Sequence, residues 1–209
     1  MKGFVGLVAA VALAVSLSSW ADEKIAAAAN ALKAGDYNKA SEIAMPMAEK
    51  GNPDAQLLMG IMYFGGRGVP KDETKAFEMY SLAAQNGQAA AMHNLATMSY
   101  RGEGVNVNYS KARAWNKQAA EAGLTIAQHD YAAMLESGIG GDKDRAQSMF
   151  WYKQAADSGY PKAAYKYGFM LDSGPGANQS ESVLYLCQAA KAGSKPALQA
   201  LGSRRSMCR

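Results

Sequence analysis

Apolar residues return along this chain at helical spacing, interrupted at regular intervals by short glycine-rich breaks. Between residues 53 and 87, Ala55, Met59, Met62 and Tyr63 fall on one face of a helix. Pro53-Asp54 suits its first turn, where a missing amide costs nothing and an acidic group meets the positive end of the helix dipole. Gly65-Gly66-Arg67-Gly68 ends it, because glycine takes the left-handed backbone of a helix terminus without strain. Val69-Pro70 continues in extended form, and Asp72 is an N-cap candidate for a second helix. Ala76, Met79, Tyr80, Ala83 and Ala84 line the buried side of that helix before Asn86-Gly87 closes it. The pattern predicts an antiparallel helix pair.

That pattern recurs every 36 residues. Ala55, Ala91, Ala127 and Ala163 form one column, with Ala197 two residues early; Met62, Met98, Met134 and Met170 form another. Gly66, Gly102, Gly138 and Gly174 keep step with them, as do Gly68, Gly104, Gly140 and Gly176. Trp115, Trp151 and Tyr185 occupy the Met79 column. Small residues permit close helix approach and methionine fills irregular gaps, so these columns read as core. A period of this size predicts a stack in which no unit buries its apolar face alone. The fold class expected is all-α: a right-handed α-solenoid of antiparallel helix pairs, about five pairs and a cap in one elongated domain. The units run 53–88, 89–124, 125–160 and 161–194, with a capping pair over 22–52 and a C-terminal cap over 195–209. Pro46 falls inside the second helix of the capping pair and is expected to kink or break it.

The ends add a location. Lys2, an apolar run from Phe4 to Leu17 and Ser19-Trp20-Ala21 form a signal peptide over 1–21, too short for a membrane anchor. No cysteine follows it to carry a lipid. The mature chain is therefore expected to be periplasmic or secreted, without membrane insertion. Removing Lys2 leaves 21 basic and 18 acidic residues, too mild and scattered a balance to predict nucleic acid or membrane as partner.

Two cysteines remain, Cys187 and Cys208, and export favours their oxidation. At ~1.5 Å per residue, continuous helices flanking a turn near Gly193 would place them about 9 Å and about 22 Å from it. A disulfide tolerates a Cα separation of about 7 Å, so pairing requires the tail beyond Gly202 to leave the helix and fold back. Such a bond would be a C-terminal staple, not redox chemistry.

The repeated residues resemble the Sel-one-like repeat, a relative of the tetratricopeptide repeat. Gly60, Tyr63, Gly66, Gly68, Val69, Lys75-Ala76, Tyr80, Ala83-Ala84 and Gly87 carry the resemblance in one unit. Gly102, Gly104, Val105, Lys111-Ala112, Trp115, Ala119-Ala120 and Gly123 carry it in the next. The third unit replaces Lys-Ala with Gln147-Ser148, and the fourth has Ser182 at the Ala position. The resemblance implies an adaptor that binds proteins. A few cysteine-rich members bind or cleave β-lactams, but their regular within-repeat cysteine pairs are absent here.

On each first helix a second stripe opposes the Ala-Met face. It comprises Leu57, Ile61 and Phe64; His93, Thr97 and Tyr100; His129, Ala133 and Glu136; and Tyr165, Phe169 and Asp172. In helical-pair solenoids this side lines the concave surface. Aromatic residues on such a face point to a protein-binding groove, whose acidic end at Glu136 and Asp172 would suit Lys or Arg on a partner. The alternative is that curvature packs the stripe against the neighbouring unit. His93 and His129 stand one period apart, where successive units are separated by ~8–10 Å. No Cys or Asp shares their column, although Asp130 follows His129, so no metal and no cofactor is expected; a pH-sensitive contact is open to them.

No G-x-S-x-G, S-x-x-K or H-E-x-x-H occurs, and the G-x-G elements close helices without a preceding strand. No catalytic residue is nominated. The expected function is a non-catalytic scaffold holding a partner protein, for example as an immunity protein or regulator of an envelope complex. The alternative is a cell-wall or β-lactam hydrolase.

Overall fold

The computed structural model describes residues 23–173 and 178–208. The leader expected over 1–21 and the Gly174-Pro175-Gly176-Ala177 turn lie outside them. The described residues form helices without a strand among them. A capping pair, α1 (Glu23–Ala34) and α2 (Tyr37–Glu49), opens the chain. Three pairs follow: α3 (Pro53–Gly65) with α4 (Glu73–Gln85), α5 (Ala89–Arg101) with α6 (Tyr109–Glu121), and α7 (Thr125–Ser137) with α8 (Arg145–Asp157). The last pair is α9 (Pro161–Ser173) with α10 (Gln179–Lys191), closed by α11 (Lys195–Leu201) and a 3-10 turn, Gly202–Met207. Each helix packs on its pair partner, and within a unit each second helix packs on the next first helix, the arrangement of an α-solenoid. The chain divides into two compact units, Met1–Ala122 and Gly123–Arg209.

The second helices start by one device. Asp36, Asp72, Asn108, Asp144 and Asn178 each use a side-chain oxygen to accept the amide three residues on, satisfying a donor that the helix leaves unpaired. Gly66 ends α3 in the left-handed conformation at φ 63°. Gly68 serves a separate purpose: a Cβ there would collide with the Tyr37 carbonyl at the head of α2, so the loop can lean on the preceding second helix only as glycine. Gly104 stands in the same relation to the Glu73 carbonyl.

Inside each pair, size is exchanged across the interface. A Cβ on Gly60 would lie 2.5 Å from the ring of Tyr80, which fills the space the glycine leaves and is buried. Gly168 faces Leu186 in the same way. Tyr80 and Tyr152 are thus core, whereas Met79, Trp115 and Trp151, one position earlier, are only half-buried. The polar Ser148 in the third unit is tolerated because its hydroxyl donates to the Ala132 carbonyl at 2.9 Å.

One departure from expectation lies near the N-terminus, and at the other end a stated condition is met. Helix α2 runs unbroken through Pro46, which sits three residues before its end and removes only one intrahelical bond. After α11, the chain turns at Gly202 (φ 52°, ψ −122°) into the 3-10 segment. This returns Cys208 to Cys187, where the two are joined with a Cα separation of 5.2 Å. Arg204 binds Asp172 through both carboxylate oxygens, at 2.7 and 2.9 Å. Ala197 and Leu201 of α11 complete the core of the second unit.

Candidate functional site

The stripe opposite the Ala-Met face differs between the two units. In the first, Leu57 is 0% exposed, Ile61 6% and His93 3%. Every residue from Ala55 to Met62 is buried, so both faces of α3 are covered, with α2, α4 and α1 against it. Leu57, Ile61 and His93 are therefore interior and offer nothing to a partner, which corrects the groove expected at those positions. Phe64, Thr97 and Tyr100 are half-buried. The Thr97 hydroxyl donates to the His93 carbonyl at 3.1 Å, and Tyr100 meets Tyr109 edge to face at 5.1 Å.

In the second unit the same columns reach the surface. Phe169 is 47% exposed, and Tyr165 beside it at 6.0 Å is half-buried. Tyr165 and His129 line a cleft of about 690 Å³, together with Tyr160, Lys162, Lys166 and Lys195. It is built from the beginnings of α9 and α11, the turn before α11, and the second turn of α7. His129 forms its floor: the ring contacts Tyr160 and Tyr152 edge to face at 5.2 and 5.5 Å, and Nδ1 lies 2.9 Å from the Asp130 carboxylate. Burial raises the Tyr160 phenol above its ordinary value, and Asp130 adds to the shift. The Tyr160 phenol therefore stays neutral at physiological pH.

The charge of the site is the reverse of what the acidic stripe positions predicted. Glu136 accepts from Lys166 at 3.0 Å and from the Tyr152 hydroxyl at 2.9 Å. Asp172 is spent on Arg204, whose hydrogen bonds hold its carboxyl below the ordinary range. Neither carboxylate is left for a partner's Lys or Arg. Lys162 and Lys195 are exposed, and among the described residues neither is in an ion pair. The open charge is cationic, set on rings. Lys195 stood out in sequence only as part of a basic tail, and Tyr160, Lys162 and Lys166 did not stand out; the signal was present in Pro161-Lys162 and Lys195-Pro196, which begin two successive first helices.

No helix among the described residues is long and apolar enough to cross a membrane. Four consecutive matches to the Sel1 repeat cover residues 53–88, 89–124, 125–160 and 161–194. The chain belongs to the Sel1 repeat family. Sel1 repeat proteins are generally protein-interaction scaffolds. A Sel1 repeat protein from Oxalobacter formigenes is 30% identical with a TM-score of 0.76, over 82% of this chain and 69% of that one. A protective antigen of uropathogenic Escherichia coli strains that displays an SLR fold is 29% identical with a TM-score of 0.73. That likeness spans 80% of this chain but only 36% of the antigen. A sel1 repeat protein from Klebsiella pneumoniae shares the fold at 21% identity and a TM-score of 0.54, over 88% and 91% of the two chains. No curated protein matches this Sel1 repeat chain.

Proposed function

We propose that this Sel1 repeat protein is a non-catalytic scaffold of the bacterial envelope, periplasmic or secreted, that holds a partner protein on its first-helix, concave face. The observation that carries the reading is the exposed aromatic and cationic surface of the second unit, where Phe169 and Tyr165 adjoin the cleft. Large apolar side chains left on one face of a repeat array favour a protein partner. The envelope location rests on Lys2, the apolar run after it and Ser19-Trp20-Ala21. An immunity protein or a regulator of an envelope complex both fit this role.

The test is affinity capture from the native periplasm and culture medium, read by mass spectrometry. The chain is compared with a Tyr165→Ser, Phe169→Ser variant whose helicity is checked by circular dichroism. A protein retained by the first and lost by the second supports the reading. Equal capture by both moves the binding face elsewhere. Hydrolysis of nitrocefin or muropeptides by the pure chain would replace the scaffold with an enzyme.

A further inference from the structure

We infer that the cleft of the second unit takes an acidic peptide segment of the partner, one that carries an apolar side chain between carboxylates. The inference rests on the scaffold reading and names the partner's chemistry.

Three observations converge on it. At about 690 Å³ the cleft exceeds what one side chain fills and lies in the range of pockets, ~300–1,000 Å³, that enclose a ligand. Its walls are ring and ring-like surfaces: Tyr160, Tyr165, His129 and the prolines Pro161 and Pro196. Rings of this kind supply contact area at low entropic cost. Its rim carries Lys162 and Lys195 without ion-pair partners among the described residues. Carboxylates nearby are already engaged, Glu136 by Lys166 and Asp130 by His129. The start of the 13-residue helix α9 adds the positive end of its dipole to the same rim.

A bare phosphate or an anionic membrane would use the ammonium groups but leave the rings unfilled. A neutral apolar peptide would fill the rings and leave the ammonium groups unanswered. An acidic segment with one buried apolar residue satisfies both, and its binding should weaken with salt because the lysines are exposed.

The test is selection of a random displayed dodecapeptide library on the purified full chain at low salt. Two variants run beside it: Lys162→Glu with Lys195→Glu, and a control of equal charge change, Lys50→Glu with Lys111→Glu. All four lysines are exposed, and circular dichroism checks that each variant is folded. The expected result is enrichment of peptides combining Asp or Glu with an aromatic or aliphatic residue. Those peptides should bind the cleft variant about tenfold more weakly and the control as well as the parent chain. Enrichment of basic or neutral peptides, no enrichment, or acidic peptides that bind the cleft variant equally would each overturn the inference. So would tighter association with phosphatidylglycerol vesicles than with any selected peptide. A partner captured from the periplasm and retained by the cleft variant would sink the acidic-segment assignment while leaving the scaffold standing.

Discussion

Ile61 and Phe169 occupy the same position of the repeat, three periods apart, yet one is 6% exposed and the other 47%. Leu57 and Tyr165 form a second such couple, buried at one end of the array and half-buried at the other. The difference lies in what covers the first helix. In the first unit α3 is packed by α1, α2 and α4, and the buried members of its stripe, Leu57 and Ile61, are aliphatic. In the second, the next first helix beyond α9 is α11, seven residues instead of thirteen. Beyond Leu201 the chain turns at Gly202 into the 3-10 segment. A repeat thus fixes which residues are equivalent, while the surroundings at each end of the array decide which of them meet solvent.

That contrast predicts unequal costs within one column. Ile61→Ala should destabilise by about 3 kcal/mol, from the lost transfer energy and the cavity left behind. Phe169→Ala should stay within about 0.5 kcal/mol. Urea denaturation followed by circular dichroism measures both. Comparable losses would mean that Phe169 is packed and that the two ends are alike.

The short cap of the second unit is also the part that carries a covalent tie. Cys187 and Cys208 close a span of 21 residues, for which loop entropy gives about 3 kcal/mol. Cys187→Ser with Cys208→Ser should lower the melting temperature of the oxidised protein, and the parent chain in reductant should melt with the double variant. Identical melting of oxidised and reduced parent would show that α11 and its tail hold without the bond.

Most of the fold was legible in the residues because its signals are local. Asp72 caps and Gly66 ends a helix within one turn of themselves, and the 36-residue period repeats those signals along the chain. The route to Cys208 was legible only as a condition, that the tail must turn back near Gly202; the structure supplies that turn. The site was harder to read, for a physical reason. Glu136 and Asp172 look like offered charge in sequence, but their partners, Lys166 and Arg204, lie about 30 residues away and meet them only through packing. His93 and His129 likewise share a column and differ in burial. Lys162 and Lys195 stand out only once the carboxylates around them are seen to be occupied.

The pairing of Asp172 with Arg204 gives the smallest effect and the sharpest check on that account of charge. Arg204 holds the Asp172 carboxyl below the ordinary value, which is about 3.9 in an unfolded chain. A depressed native value contributes stability above the unfolded one, and the contribution is lost as pH falls through the native one. Both side chains are about a quarter exposed, 28% and 27%, so the pair should be worth less than about 1 kcal/mol. Arg204→Ala should therefore unfold at lower urea than the parent at neutral pH. The gap should narrow as pH drops below about 4, and added salt at neutral pH should narrow it too. Arg204 also donates to the Ala200 carbonyl at 3.0 Å, a contact indifferent to the protonation of Asp172. A gap that persists unchanged into acid would assign Arg204 to that carbonyl, and would return Asp172 to the surface as charge a partner can use.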